Sequence, residues 1–178
     1  NSSLLRSENV NDGSVLKMRR YQLKQKIFSL GDSYTICDED GVERATVRSK
    51  FFSMGKQLML EDSSGKELVK IRQRILSFGP TFEISKGGRM MAIVKKQLFS
   101  LFKCRFSVDI PGPDDLEATG SFLEHEYSFT QGENEVAVVS KQWFSWSDTY
   151  GVEISDGQDD VLILASAIVV DLACHNGE

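Results

Sequence analysis

Residues 161–170 have the sequence VLILASAIVV, ten consecutive residues without a charged side chain. Asp159 and Asp160 precede this segment and Asn176-Gly177 follows it, which suits the acidic start and the glycine stop of a helix. At about 14 residues the segment is shorter than the roughly 20 that a membrane span needs. Because a helix that is apolar on every face must be buried, we interpret it as a hydrophobic helix inside the protein. A buried β-strand, which the β-branched Val and Ile favour, is the alternative.

A repeated apolar-Ser-apolar motif, here called the signature, divides the rest of the chain into units of similar length. Its five copies begin at residues 28, 52, 76, 99 and 144, so successive copies are 24, 24, 23 and 45 residues apart. Phe122-Leu123 lies near the middle of the last interval, where a degenerate copy is expected. Each unit contains two alternating runs around a Gly-containing turn, the pattern of a β-hairpin. Six such units predict about twelve antiparallel strands, and closing them into a barrel around the apolar helix removes the open edges.

The net charge of −5 conceals a strong asymmetry along the chain. Residues 17–105 contain 19 Lys/Arg and 9 Asp/Glu, whereas residues 106–178 contain one Lys and 15 Asp/Glu. A basic half of this size can attract phosphate-rich surfaces such as lipid headgroups. Neutralisation of one half by the other across a compact fold is the alternative. The acidic half, together with the lack of a recognition motif, disfavours nucleic acid as a partner.

Basic residues stand two and four positions before the first three signatures and four positions before the fourth. Because side chains two apart on a strand share one face, we predict a stripe of cations on the outside of the barrel. Near an anionic membrane each such residue contributes about 1 kcal/mol, whereas a solvated outer face without a ligand is the alternative. Strict alternation would point Phe28 and Phe52 outward with these cations, so we expect a β-bulge or a crossing of the barrel rim there. The residue three positions before each signature is polar, namely Gln25, Ser49, Gln73, Lys96 and Lys141. The predicted headgroup-binding residues, here called the basic stripe, are Lys24, Lys26, Arg48, Lys50, Arg72, Arg74 and Lys95.

No residue is assigned to catalysis, and neither a metal nor a cofactor is expected. Ser100 and Lys103 match the pattern S-x-x-K, but the S-D-N and K-T-G motifs that accompany it in serine enzymes do not follow. His125 lies between Glu124 and Glu126, a setting that would suit an oriented base. A histidine on the surface of a strand is the favoured interpretation.

The cysteines and the aromatic residues near the last signature are expected to pack in the fold rather than to react. Three widely spaced cysteines argue against a disulfide framework and for a reducing compartment. We expect Cys104 and Cys174 to pack as small apolar side chains. Trp143, Phe144 and Trp146 lie around the last signature serine, and core packing is the favoured interpretation for them. The alternative is an aromatic rim that enters a lipid interface.

The segment MRRYQLKQKIFSLGD at residues 18–32 resembles the start of the LURP-one-related/YxjI proteins, and VLILASAIVVD at residues 161–171 is similar to their C-terminal helix. The resemblance covers residues 18–176. It implies the tubby C-terminal-like fold, a closed twelve-stranded antiparallel barrel around a central hydrophobic helix, which phospholipid scramblases and tubby proteins share. Tubby domains bind phosphoinositides and some plant relatives are linked to pathogen defence, but no catalytic motif comes with the resemblance. Such a likeness transfers fold better than function.

These observations predict a mainly β domain at residues 18–178, preceded at residues 1–17 by an N-terminal extension or vector-derived residues. The expected function is non-enzymatic binding of anionic, phosphoinositide-like membrane headgroups or of a protein partner, in signalling or defence. A structural or adaptor domain without a lipid ligand is the alternative. The expected location is the cytoplasm, with peripheral attachment to a membrane and no transmembrane span.

Overall fold

The computed structural model describes residues 18–28, 31–52, 55–100, 103–143 and 149–175. These residues form twelve β-strands and the helix α1, which spans Asp160–His175. The strands are β1 (Arg19–Phe28), β2 (Gly31–Asp38), β3 (Glu43–Phe52), β4 (Gly55–Asp62), β5 (Glu67–Gln73), β6 (Thr81–Lys86), β7 (Arg89–Ser100), β8 (Lys103–Asp109), β9 (Leu116–Ser121), β10 (Glu126–Gln131), β11 (Asn134–Ser140) and β12 (Thr149–Ile154).

The strands form one closed antiparallel barrel in which each strand pairs with its neighbours in sequence. The barrel closes between β1 and β12, where Arg19 pairs with Ile154 and Lys24 with Thr149. Every described strand therefore has a partner on both sides, which removes the exposed edges of an open sheet. The predicted twelve-stranded antiparallel barrel is confirmed.

Alternation along each strand decides which side chains fill the barrel. In β5, Val69 and Ile71 are fully buried, whereas Lys70 between them is half-buried and Arg72 after them is exposed. Leu58 and Leu60 of β4 are buried in the same way. Since successive side chains of a strand point to opposite faces, the apolar positions line the lumen and the charged ones face outward.

The two rims of the barrel differ in their connections. The strand ends joined by the β1–β2, β3–β4, β5–β6, β7–β8, β9–β10 and β11–β12 connections lie at one rim. In sequence, each of these connections contains or adjoins a signature or, between β9 and β10, Phe122-Leu123. We call this rim the signature rim. Its position confirms that the chain crosses a rim at each signature, which explains why the motif does not follow the strand alternation. Register shifts in β2–β3, β4–β5, β6–β7 and β10–β11 lie near the Gly-containing turns of the opposite rim. The shift in β7–β8, between Leu98 and Ser100, lies at the fourth signature, where a β-bulge was expected.

The apolar C-terminal segment is a helix that fills the barrel. Asp159 Oδ1 accepts a hydrogen bond from the Leu162 backbone N–H at 3.1 Å between N and Oδ1, which caps the start of α1. Every residue from Leu162 to Ala173 is buried. The central helix is thus confirmed and the strand alternative is wrong. Inside a closed barrel no strand edge is available for pairing, and a helix satisfies its backbone hydrogen bonds within itself.

Polar contacts fasten both ends of α1 to the barrel. Asp160 accepts hydrogen bonds from Arg19 Nη2 and from the Tyr21 hydroxyl, each with a donor–acceptor distance of 2.6 Å. Burial and the bond to Asp160 raise the pKa of Tyr21 to about 12, so the phenol stays a donor at neutral pH. At the other end Lys96 Nζ donates to the Ala173 carbonyl at 3.1 Å. Within the described ranges, no helix is long and apolar enough to cross a membrane.

Candidate functional site

The residues of the basic stripe belong to β1, β3, β5 and β7, with Arg74 directly after β5. Register places Lys26 and Arg48 opposite the same residue of β2, and Lys50 and Arg72 opposite the same residue of β4. The stripe therefore contains two short rows in which one uncharged residue separates two basic positions. The side chains of Lys26 and Lys50 lie outside the described part of the structure. Those of the other members are exposed or half-buried, namely Lys24, Arg48, Arg72, Arg74 and Lys95.

Glu83 of β6 neutralises two members of the stripe. Its two carboxylate oxygens accept hydrogen bonds from Arg72 Nη2 and Arg74 Nε, each with a donor–acceptor distance of 2.7 Å. These two guanidinium groups hold the pKa of Glu83 below its ordinary value. The carboxylate is therefore ionised at neutral pH and competes with any external anion for the same donors.

Two further stripe residues have carboxylate partners on the neighbouring strand. Lys95 Nζ lies 2.5 Å from Asp109 Oδ2 of β8. Arg48 Nε lies 3.8 Å from Glu61 Oε2 of β4, a looser contact. All four paired side chains of the stripe are largely solvent-exposed, where an ion pair contributes about 0–1 kcal/mol and an external anion can displace the carboxylate.

Charge is also distributed unevenly along the barrel axis in β1–β8. The residues nearest the signature connections contain 12 Lys/Arg and 2 Asp/Glu, counted over residues 23–36, 47–60, 70–84 and 95–108. The residues nearest the opposite rim contain 6 Lys/Arg and 8 Asp/Glu, counted over residues 19–22, 37–46, 61–69, 85–94 and 109. The cations of β1–β8 therefore collect around the signature rim.

A cavity of about 480 Å³ opens at the opposite rim, beside the start of α1. Its walls include the apolar side chains of Ile110, Leu116 and Leu162 and the acidic residues Asp114 and Asp159. The described residues that line it include no Lys or Arg. This cavity therefore lacks the charge that an anionic headgroup requires, and the cationic surface lies at the other end of the barrel.

A buried polar cluster joins the β9–β10 connection to the helix. The Tyr34 hydroxyl donates to Asp171 Oδ2 at 2.5 Å, and His125 Nε2 lies 2.7 Å from Asp171 Oδ1. The His125 ring stacks on Tyr150 with 4.4 Å between the ring centroids. Asp171 is 2% exposed and His125 is 9% exposed. The cluster therefore ties β2 and the β9–β10 connection to α1.

The interpretation of His125 as a surface histidine is wrong. The residue lies in a connection rather than in a strand, with a φ of 53°. This left-handed backbone conformation, which histidine tolerates better than most residues, turns the ring toward the lumen. Strand alternation gives no information about the direction of a side chain at such a position.

The cluster is suited to fastening the fold rather than to nucleophilic chemistry. A His–Asp pair orients a general base in many hydrolases, but there it acts on an adjacent nucleophile. Two further phenols near this pair belong to Tyr127 and Tyr150, and burial raises the pKa of both well above the ordinary value. Both phenols stay protonated at neutral pH, so neither is an activated nucleophile.

Asp171 and Tyr34 are the members of the cluster that the sequence reasoning missed. The sequence did contain a signal, because Asp171 is the only charged residue between Val161 and Ala173. A charged side chain inside a buried apolar segment must be paired to be tolerated. That rule predicts a partner for Asp171, although it does not say which residue provides it.

The cysteines are free thiols, as expected. Cys104 and Cys174 pack against the core, which confirms their interpretation as small apolar side chains. Burial raises the pKa of Cys174 to about 11, so the thiolate needed for reactivity is scarce at neutral pH. In the described part of the chain, no group of three or more His, Cys, Asp or Glu is placed to hold a metal ion.

Of the three aromatic residues around the last signature serine, Trp143 belongs to the described part of the chain. Trp143 is 37% exposed, with the Arg20 guanidinium carbon 5.2 Å from the centre of its ring. Core packing is therefore the wrong interpretation for Trp143, whose exposed ring makes a cation–π contact with Arg20. Phe144 and Trp146 lie outside the described residues, as do the side chains of Ser100 and Lys103.

A closed twelve-stranded barrel around a buried helix is a tubby-like domain, and comparison with known proteins gives its family. The LURP-one-related family model matches residues 19–171, so the chain belongs to this family. The uncharacterized protein YxjI of Bacillus subtilis (strain 168) is 40% identical over 157 residues, which are 88% of this chain and 94% of that protein. An X-ray structure of an Arabidopsis thaliana protein matches with a TM-score of 0.60 at 18% identity, over 85% of this chain and 89% of that one. The resemblance in the sequence is confirmed.

Proposed function

We propose that this LURP-one-related barrel is a non-enzymatic binding module that docks on anionic, phosphoinositide-like membrane headgroups through the basic stripe. The observation that supports this function is the separation of charge in space. Because the barrel is a simple meander, residues close in sequence stay close in space. The asymmetry along the chain thus becomes a basic side formed by β1–β8 and an acidic side formed by β9–β12. An anionic membrane attracts the first side and repels the second.

Internal ion pairs determine how strong such docking can be. Among the stripe side chains that the structure describes, four pair with three carboxylates, those of Glu61, Glu83 and Asp109. The seven cations and these three acids together carry a net charge of +4. At about 1 kcal/mol for each uncompensated cation, binding is moderate and reversible. It is also sensitive to salt, because the Debye length is about 8 Å at physiological ionic strength. We therefore propose peripheral attachment to the cytoplasmic leaflet, where anionic lipids are abundant.

An adaptor domain with a protein partner and no lipid ligand is the second candidate. The ion pairs of Arg72, Arg74 and Lys95 favour it, because cations that already have carboxylate partners have less need of an external anion. The two functions differ in their dependence on lipid. Headgroup binding requires anionic vesicles and weakens as salt rises, whereas an adaptor does not respond to vesicle composition.

Reversing two charges of the stripe is expected to weaken binding to vesicles. Lys50→Glu/Arg72→Glu replaces two cations of one row by anions, so we expect binding at least about tenfold weaker. The measurement is co-sedimentation with phosphatidylcholine vesicles that contain phosphatidylserine or a phosphoinositide. Lys86→Glu/Arg89→Glu makes the same change of charge at the opposite rim and is expected to bind nearly as the wild type does. If the wild type and the stripe variant pellet equally, headgroup binding through the stripe is wrong and the adaptor function remains.

Removing Glu83 is expected to strengthen binding. Glu83→Gln keeps the size of the side chain but takes an ionised carboxylate away from Arg72 and Arg74, so the net charge of the stripe rises by one. We expect about fivefold tighter binding to the same anionic vesicles, which corresponds to about 1 kcal/mol. Glu39→Gln, at an exposed position of the opposite rim, is the control with the same change of charge. Unchanged binding of Glu83→Gln would exclude these two arginines from headgroup recognition.

A further inference from the structure

Large apolar side chains are exposed at the signature rim. In the β5–β6 connection Leu76 and Phe78 are almost completely exposed, at 98% and 109% of their reference areas, and Ile75 is 61% exposed. Leu98 at the end of β7 is 69% exposed and Leu123 between β9 and β10 is 70% exposed. Scattered apolar residues are ordinary on a protein surface, but a concentration of them at one end of the molecule indicates an interaction surface.

The β5–β6 connection is held in shape by hydrogen bonds while its apolar side chains point away from the protein. The Ser77 hydroxyl lies 2.9 Å from the Gly79 carbonyl oxygen and 3.2 Å from that of Arg74. The Lys96 backbone N–H donates to the Pro80 carbonyl at 3.0 Å, which fixes the connection beside the end of β7. The central serine of this signature thus binds the backbone of the loop, and the apolar residues on either side of it face solvent.

We propose that the signature rim inserts the exposed apolar side chains of the β5–β6 connection, Leu76 and Phe78, into the interfacial layer of an anionic lipid bilayer, so that the barrel docks by this end. The inference rests on the proposed function and adds a second contact to it. The 12 Lys/Arg and 2 Asp/Glu around the signature connections of β1–β8 would then lie at headgroup level, while Leu76 and Phe78 reach the acyl region. Apolar contact and attraction to anionic lipids act together in this way at membrane surfaces.

The chemistry of the rim favours a bilayer over a protein as the occupant. The apolar side chains project from separate connections, and many cations surround them. The centre of a protein–protein interface is instead depleted of charge. A bilayer offers the matching order of layers, with anionic headgroups outside and hydrocarbon beneath. A bilayer therefore accommodates both the cations and the apolar side chains, the cations among the headgroups and the apolar side chains in the hydrocarbon beneath them.

The test is the loss of vesicle binding when the apolar tips are made polar. Leu76→Ser/Phe78→Ser changes two exposed side chains and leaves the core intact, so folding is expected to be unaffected, as checked by the melting temperature. We expect at least about tenfold weaker partitioning into vesicles of phosphatidylcholine and phosphatidylserine. Val42→Ser/Met90→Ser removes two exposed apolar side chains of the opposite rim and is expected to bind as the wild type does.

Comparing charge and loop variants separates failure of this inference from failure of the proposed function. Weaker binding of Lys50→Glu/Arg72→Glu with unchanged binding of Leu76→Ser/Phe78→Ser would overturn insertion and keep headgroup binding. Equal binding of the wild type to neutral and anionic vesicles, lost in the loop variant, would keep insertion and overturn headgroup binding. If the wild type pellets with neither kind of vesicle, both proposals are wrong. A wild-type dimer in light scattering that the loop variant abolishes, without binding to vesicles, would replace the bilayer by a second copy of the chain.

The depth of insertion provides an independent measurement. Phe78→Trp places a fluorophore on the rim, and its contribution is the difference from the wild-type emission. We expect this contribution to shift to shorter wavelength with anionic vesicles and to be quenched by lipids with brominated acyl chains. Val42→Trp at the opposite rim is the control and is expected to show neither effect. An unshifted and unquenched Phe78→Trp emission in vesicle-bound protein would overturn insertion.

Discussion

A chain that ends at Asp159 is expected to lose the folded barrel, because α1 fills its lumen. Seven Leu, Ile or Val residues of α1 are buried, and at about 1.5–3 kcal/mol each they stabilise the fold by roughly 10–20 kcal/mol. The whole stability of a domain is about 5–15 kcal/mol. We expect the truncated chain to be insoluble or molten, without a cooperative thermal transition and with strong binding of a hydrophobic dye.

The control for the truncation is a substitution that keeps the filling of the lumen. The Ser166 hydroxyl is fully buried and has no hydrogen-bond partner among the described residues. Ser166→Ala is therefore expected to leave the free energy of unfolding unchanged or to raise it by about 1 kcal/mol, measured by chemical denaturation. A truncated chain that stays soluble and melts cooperatively would show that the helix is not central to folding.

Asp171→Ala is expected to lower the free energy of unfolding by about 3 kcal/mol. The carboxylate accepts a hydrogen bond from Tyr34 and binds His125 at a site that is 2% exposed. Removing it takes an acceptor from both groups in a region that water does not reach, and such a loss costs more than an exposed contact. Chemical denaturation measures the change. The helix would also lose its tie to the β9–β10 connection, so amide hydrogens of that connection should exchange faster.

The matched control for this acidic residue is Asp156, which binds Arg19 at 2.8 Å but is 62% exposed. Asp156→Ala is expected to cost at most about 1 kcal/mol, as exposed ion pairs do. A double-mutant cycle tests the specific contact, because Tyr34→Phe should cost about 1 kcal/mol in the wild type and almost nothing in Asp171→Ala. Equal costs of Asp156→Ala and Asp171→Ala would show that the buried cluster does not hold the helix.

Most of the fold could be predicted from the spacing of apolar residues. Alternating runs such as Leu58-Met59-Leu60 indicate strands with one buried face, and the regular distance between signatures indicates equal hairpins. The helix was predictable because it is apolar on all faces. The outward orientation of Arg48 and Arg72 follows from the same alternation, since Val47 and Ile71 beside them are fully buried.

The contacts of the candidate site could not be predicted in the same way. Whether Glu83 neutralises Arg72 and Arg74 depends on the register between β5 and β6, and nothing in the spacing of one strand specifies that register. The inward turn of His125 depends on the backbone conformation of a single connection residue. The alternation of side chains along one strand specifies neither the register with the next strand nor the backbone conformation of a connection.

The amino-acid sequence by itself determined the number of hairpins, the buried helix, the family and the uneven distribution of charge. These are properties of spacing and composition, and each can be identified within a short stretch of chain. Only the tertiary structure decided which cations have carboxylate partners, that Asp171 meets Tyr34 and His125, and that the apolar connections and most cations of β1–β8 share one rim. These relations are created when a meander closes and strand register brings side chains together that are far apart along the chain.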